Sequence, residues 1–428
     1  MDKFVTKSTK RSSEADVESA SKKAKTGSGG SRVPAVGTCT WETVGSVLVM
    51  RNFTPPNETP TGPTKVASFD MDSTLITTKS GKTFAKDAND WKFWNECVPA
   101  KLQELAADGY AVVIFSNQSG LSKGKVNEKE LKTKLNAIAT QLKVPLRVFL
   151  LSADDNMRKP RVGAWEFMAR HCQLDVDTAN SFYCGDAAGR PKAPGKAKKD
   201  FSCGDYKFAL NLGITFYTPE KFFLGSKQSL HSNKTSFELD FDPRSLLSHA
   251  VPLDAAWKVA PSSTQEMIVL VGSPGAGKST FCQAYFSSYG RINQDVLKTV
   301  PKCKAAAVEQ LKQGKSVVID STNRDIKTRK EWIQVAADHK IPIRAFYLDV
   351  PKPLVFHLNE FRMLQKQLHP DRSEAKPNVP DMIIHGFFKN VEEPTTAEGF
   401  TSVVKLPFIP ASTLPDDDKK LLTSFLLG

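Results

Sequence analysis

The chain contains no C-x-x-C pair: its seven cysteines, Cys39, Cys97, Cys172, Cys184, Cys203, Cys282 and Cys303, are odd in number and scattered over 428 residues. That spacing predicts neither a disulfide framework nor a zinc cluster, and it suits a reducing compartment. The histidines also lack ligand spacing and are assigned no metal. Long apolar runs are missing too. The longest, such as Ala111–Phe115 and Met267–Val271, fall well short of the roughly 18 residues a spanning helix needs, and no signal-peptide core opens the sequence, so a soluble chain with no membrane partner is expected. No zinc-finger or helix-turn-helix signature is present, which argues against base reading. Negative charge is in deficit: 46 Asp and Glu face 59 Lys and Arg, a net charge of +13. A polyanionic partner is favoured, although surplus charge alone also serves solubility.

What is present is organised in blocks. Residues 1–38 are rich in Ser, Lys, Thr and Gly without apolar periodicity and read as a flexible basic tail. Within it, Lys10-Arg11 and Lys22-Lys23-Ala24-Lys25 resemble a bipartite import signal, which predicts the nucleus; the bland alternative is a solvated basic tail. From Trp41 onward, short apolar strands alternate with amphipathic helices. A strand at Val44–Met50 leads to strands at Lys65–Phe69, Tyr110–Phe115, Arg147–Leu151 and Ser181–Cys184. Helices are expected at Asp90–Asp108, Glu128–Leu142, Gly163–His171 and Tyr206–Leu212. Residues 225–265 lack periodicity and read as a connection. A second alternating unit then begins, with strands at Met267–Val271, Ser316–Ile319 and Ile343–Leu348 and helices at Lys327–Asp338 and Pro353–Leu368. The reading is two tandem α/β domains, 39–224 and 266–428, each with a mainly parallel sheet covered on both faces, in a monomeric chain.

Asp70-Met71-Asp72-Ser73-Thr74 follows the second strand, so the first carboxylate stands at the carboxyl edge of a parallel sheet, where ligands bind. Asp70 is suited to attack phosphorus, and Asp72 to protonate the leaving oxygen and then deprotonate water. Alone, such a pair is often only a capped turn. Three further groups follow in order after later strands: Ser116 as a phosphoryl-oxygen ligand, Lys159 as a cation, and Asp186 as another carboxylate. Asp70, Asp72 and Asp186 are expected to hold Mg2+. Beside them Lys192, Lys196, Lys198 and Lys199 form a basic run suited to a nucleic-acid backbone, or simply a solvated loop.

In the second unit, Gly272-Ser273-Pro274-Gly275-Ala276-Gly277-Lys278-Ser279-Thr280 lies between an apolar strand and a helix, the setting that makes a phosphate-binding loop specific. The loop amides would surround the phosphates of ATP, Lys278 would reach the β and γ groups, and Ser279 would hold Mg2+. Asp295 is placed to accept a hydroxyl proton, or to cap a helix. Asp320 ends a strand as a Walker B-like acid, and Arg362 sits on a helix from which a lid cation could reach the phosphates.

The first unit resembles the haloacid-dehalogenase-type phosphatases. Its segments SFDMDSTLITTKSGKTF, VVIFSNQSGLSKGK, RKP and CGDAAGRP, with KAKKDFSCGDYKFALNLGI, resemble the phosphatase half of the polynucleotide kinase 3′-phosphatase family. GSPGAGKSTF, INQD, VVIDSTNRDIKTRKEW and EEPTTAEGF resemble its kinase half. The resemblance spans about residues 41 to 428. It implies a haloacid-dehalogenase-like three-layer domain followed by a P-loop kinase. The activities implied are a 3′-phosphatase with Asp70 as nucleophile and Asp72 as acid/base, and an ATP-dependent 5′-hydroxyl kinase with Asp295 as general base. The substrates would be DNA strand-break termini, with RNA ends possible, made ligatable by the two reactions.

Two kinds of departure stand out. Animal members begin with a forkhead-associated domain where this chain has a basic tail, so recruitment through that domain is not carried over. In the kinase half, an Arg usual before the general base is Gln294, and a lid Arg is Glu360. Both changes are expected to remove positive charge near the acceptor strand and weaken or alter its binding. The rival readings are a fused sugar-phosphate phosphatase and metabolite kinase, and a binding protein with vestigial sites.

Overall fold

The computed structural model describes residues 34–55, 62–191, 199–225, 239, 241–248, 259–371, 378–408, 410 and 414–428. The expected import signal and Lys192, Lys196 and Lys198 lie outside them. The first sheet has seven strands in the order β1-β2-β7-β6-β3-β8-β9: β1 (Val36–Val44), β2 (Val47–Phe53), β3 (Val66–Phe69), β6 (Ala111–Asn117), β7 (Leu146–Leu151), β8 (Phe182–Cys184) and β9 (Thr215–Tyr217). From β7 to β9 the neighbours are parallel. A small pair, β4 (Ile76–Thr77) and β5 (Lys92–Phe93), stands apart. Alternate residues feed two cores. Phe69 and Ile114 pack with Leu102 and Leu135 on one face, while Val113 and Phe115 pack with Trp165 and Phe208 on the other. Burial on both faces explains why these strands read as unbroken apolar runs.

The second sheet is wholly parallel, in the order β11-β12-β10-β13-β14, formed by β10 (Met267–Val271), β11 (Gly290–Asn293), β12 (Val317–Asp320), β13 (Ile343–Leu348) and β14 (Ser402–Leu406). Here too the period of two sorts the strands. Ile268 and Leu270 face Phe281, Phe346 and Leu364, while Met267 and Val269 face Ala307, Trp332 and Tyr347.

Four expectations change. The strand expected at Val44–Met50 is a hairpin, turning at Gly45 with φ 57°, and its first strand begins at Val36, inside the expected tail. The helix expected from Asp90 starts only at Val98, beside a proline in its first turn. Residues before it are tied into a loop, because the Asp90 carboxylate accepts Ser80 N–H at 2.7 Å, Ser80 O–H at 2.7 Å and Lys86 N–H at 3.0 Å. Trp91, Trp165 and Trp332 are buried core residues, but Trp91 lies in that loop and not on a helix. Finally, the tandem order is not a clean separation, since the last residues of the chain return to the first module.

Candidate active sites

In the first sheet β3 is an interior strand, paired with β6 on one side and β8 on the other. Their carboxyl ends therefore release Asp70, Ser116 and Asp186 at one edge. Asp70 N–H donates to Cys184 O at 2.8 Å, which fixes the start of the loop, and Ser73 turns it with a left-handed φ of 62°. Lys159 arrives from the segment after β7. Its Nζ donates to Asp70 Oδ1 at 2.7 Å, to Asp205 Oδ1 at 2.7 Å and to the Tyr183 hydroxyl at 2.6 Å. Asn117 holds the Lys159 backbone on both sides of the peptide, accepting its N–H and donating to its C=O at 3.1 Å.

Asp205 was not singled out from the sequence, although Cys203-Gly204-Asp205 repeats the Cys184-Gly185-Asp186 pattern nineteen residues on. It sits in the first turn of the helix Gly204–Leu212. Gly185 is what admits it: a Cβ there would lie 2.4 Å from the Asp205 carboxylate. Asp70, Asp186 and Asp205 each place an oxygen within 4.8 Å of the others. Burial pushes Asp70 up to about 7, opposed by Lys159 and reinforced by Asp205. Burial likewise pushes Asp186 up to about 8, with Asp70 and Asp205 adding to it. Three crowded carboxylates, two half-buried and one buried, around one ammonium leave negative charge that a cation would balance. A donor set of oxygens alone fits a hard divalent ion such as Mg2+.

Asp72 is placed differently from the ligand role expected for it. Its side chain is 56% exposed, accepts Gln118 Nε2 at 3.0 Å and faces Lys134 Nζ at 3.7 Å. It stands outside the carboxylate group, and Asp205 is the third member. Gln118 Nε2 also donates to Ser116 Oγ at 2.9 Å, so one amide links the two polar groups. Lys199 is exposed, while Asp200 is committed to Arg190 at 2.7 Å.

The second site surrounds the loop after β10. Lys278 is buried and donates to Gly272 O at 2.9 Å and Ser273 O at 2.8 Å, which are carbonyls of the loop itself. Burial lowers it to about 8, with Asp320 and Asp295 opposing and Arg362 adding. Ser279 Oγ donates to Asp320 Oδ2 at 2.8 Å, where Asn293 Nδ2 at 2.9 Å and Arg291 Nη2 at 2.6 Å also converge. Burial disfavours the Asp320 anion, yet these bonds outweigh it and hold the group below the usual carboxylate range. Arg362 lies over the loop, its Nη2 3.2 Å from where a Cβ on Gly275 would stand, and Gly275 has φ 88°. Its Nη2 donates to Asn359 Oδ1 at 2.9 Å. Burial lowers the Arg362 guanidinium, and no carboxylate among the described residues offsets it.

Asp295 is exposed on the short helix Gln294–Leu297, and the cap is Asn293, whose side chain accepts Asp295 N–H at 2.8 Å. The Asp295 carboxylate is thus not spent on capping. Gln294 is exposed, and its Oε1 accepts Ser321 O–H at 3.2 Å. Glu360 does not face an acceptor channel as expected. It is buried and ion-paired with Arg161 of the first module.

Comparison with known proteins agrees with this pairing of sites. The family model described as polynucleotide kinase 3 phosphatase matches residues 65–223, and an AAA domain model matches residues 298–381. A bifunctional polynucleotide phosphatase/kinase of Schizosaccharomyces pombe is 40% identical over 80% of this chain and 80% of its own length. An Acanthamoeba polyphaga mimivirus protein whose description pairs the same two activities is 34% identical over 83% of this chain and 88% of its own. A polynucleotide 3′-phosphatase of Saccharomyces cerevisiae is 30% identical over 37% of this chain and 87% of its own length. The chain belongs to the bifunctional polynucleotide phosphatase/kinase family.

Proposed function

We propose that this chain repairs nucleic-acid ends by two separate phosphoryl transfers, removing a 3′-phosphate at the first site and phosphorylating a 5′-hydroxyl at the second. The observation that carries the reading is the opposite chemistry of the two sites in one polypeptide: a half-buried carboxylate cluster around Lys159, and a phosphate loop overlaid by Arg362. At the first, an Asp70 oxygen attacks the phosphorus of the 3′-phosphate. The bond to the 3′-oxygen breaks, and Asp72 gives that oxygen its proton. Water then attacks the aspartyl-phosphate as Asp72 takes its proton back, which releases phosphate and frees Asp70. Ser116 and Lys159 bind phosphoryl oxygens and hold Asp70 in line. Mg2+ held by Asp70, Asp186 and Asp205 would supply charge that lets a carboxylate and a phosphate approach each other.

At the second site Lys278 exchanges its loop carbonyls for phosphate oxygens of ATP, and Arg362 closes on the same group. Asp295 accepts the proton as the 5′-oxygen attacks the γ-phosphorus. Ser279 and Asp320 would hold the accompanying Mg2+. The substrates are DNA strand-break termini, with RNA ends as a second class, handled by a monomer in the nucleus through the basic clusters at 10–25. Neither reaction needs base reading, because a terminus and its backbone charge suffice. The test is a nicked duplex bearing 3′-phosphate and 5′-hydroxyl, incubated with Mg2+ and ATP; both ends should be converted. Single-stranded DNA should inhibit the phosphatase at low salt. A phosphatase indifferent to DNA but active on sugar phosphates would replace this reading with a fused metabolic enzyme.

A further inference from the structure

The Lys159 ammonium must meet one carboxylate carried by a strand end, Asp70, and one carried by a helix, Asp205, and neither Lys159 nor Asp205 lies within the sheet. Asn117 steadies the Lys159 backbone from inside the first module. On the other side the supports come from the kinase half. Asn211, on the helix that carries Asp205, donates from Nδ2 to Pro160 O and to Phe425 O, both at 2.8 Å, and its Oδ1 accepts Phe425 N–H at 2.8 Å. One side chain therefore ties together the residue after Lys159, the Asp205 helix and the end of the chain. Lys207 on the same helix donates to Leu427 O at 2.9 Å. A Cβ added to Gly428 would lie 3.5 Å from Gly204 Cα and 3.8 Å from Pro160 Cδ, the immediate neighbours of Asp205 and Lys159.

The anchorage on the kinase side is firm. Phe425 and Leu426 are buried, and Leu426 packs with Leu422, Leu358 and Phe361 in the core of the second module. Arg161, two residues after Lys159, donates to Leu426 O at 3.2 Å and pairs with Glu360, which belongs to the helix Lys352–Leu368 that also carries Arg362. Both partners of that pair are buried.

We propose that the kinase half positions the phosphatase chemistry: Phe425–Gly428 and Glu360 brace Pro160-Arg161 and the helix Gly204–Leu212, and so hold Lys159 and Asp205 in register with Asp70. These are positioning residues, and the inference rests on the reading of the first site as the 3′-phosphatase centre. Loss of the brace leaves the reacting groups present but displaced, which lowers turnover more than substrate affinity.

The experiment measures both activities of the full chain. Wild type and Asp70→Ala come first: a wild type without 3′-phosphatase activity would refute the site reading itself. Asn211→Asp then keeps the size of the side chain, removes both donated bonds and sets a carboxylate against two carbonyls. Phosphatase kcat should fall about tenfold with KM changed less than about twofold, while kinase kcat stays within about twofold. Removal of residues 425–428 should lower phosphatase kcat at least as far, because it cuts the Asn211–Phe425 bonds together with those of Lys207 to Leu427 and Arg161 to Leu426. Wild-type phosphatase kcat in Asn211→Asp overturns the brace. If the truncated chain does not fold, Asn211→Asp decides by itself, since it leaves the kinase core untouched and the kinase serves as its folding control.

Discussion

The two sites carry opposite charge imbalances. At the first, Asp70, Asp186 and Asp205 share the single ammonium of Lys159, and burial raises two of the carboxylates. At the second, Lys278 is turned onto loop carbonyls and Arg362 has no carboxylate partner among the described residues, so positive charge is in surplus beside the loop. Under the proposed function a cation would complete the first site and a polyphosphate the second, because buried charge is tolerated only when something balances it. The difference also separates the chemistries. A carboxylate nucleophile needs a neutralised approach, whereas transfer from ATP to a hydroxyl needs stabilisation of charge already spread over phosphate oxygens.

The largest effects should split cleanly between the sites. Asp70→Ala should lower 3′-phosphate removal by about 10³-fold or more and leave 5′-phosphorylation near wild type, and Lys278→Ala should do the reverse, since each removes a group no neighbour can replace. End analysis on a nicked duplex measures both in one reaction; a substitution that abolished both would end the two-site account. Next in size, Arg362→Gln should cost the kinase about 10²-fold in kcat, the scale of a lost transition-state cation, with no change in phosphatase rate.

A titration sharpens the contrast. The folded chain holds Asp70 and Asp186 with pKa values near 7 and 8, above the ordinary 3.8, so it retains protons that the unfolded chain releases. Stability therefore declines as pH rises from about 4 to 8. A bound cation displaces those protons and removes the penalty. Mg2+ should thus raise the melting temperature more at pH 8 than at pH 6, where protons compete for the same oxygens, and Asp70→Ala should shrink the difference. Equal Mg2+ shifts at both pH values would mean that the carboxylate cluster does not take the ion.

Much of this was legible in the sequence wherever the signal is local. The helix Glu128–Leu142 has its expected bounds because Asn127 caps it, accepting Lys129 and Glu130 N–H, a cap worth about 1 kcal/mol. Met267–Val271 and Ile343–Leu348 also fall where apolar runs placed them. The phosphate loop announced itself, since its spacing is its function. Asp205 escaped because its neighbourhood reads as an ordinary helix start, and only the clearance at Gly185 brings it to Asp70. Among the late elements, β14 and the helix Asp416–Leu422 are short, with five and seven residues, and carry little local signal. Glu360 was misjudged for a deeper reason: its partner Arg161 lies 199 positions away in another module, and no local pattern encodes such a contact.

That misjudgement supplies the subtlest prediction. Gln294 and Glu360 are the two positions where the family resemblance implies arginine, and both are expected from it to weaken acceptor binding. The structure separates them, because Gln294 is exposed next to Asp295 whereas Glu360 is buried against Arg161. Gln294→Arg should lower the kinase KM for a 5′-hydroxyl strand by about two- to fivefold at low salt, the worth of one exposed phosphate contact, with the gain fading as salt rises. Glu360→Arg should give no such gain. It places two guanidiniums together in a buried position, so it should lower the melting temperature and, through Arg161, the phosphatase rate. Salt-dependent kinase kinetics on the two variants would distinguish a surface site open to the acceptor from a contact committed to the neighbouring module, and a KM gain from Glu360→Arg would return that residue to the acceptor channel.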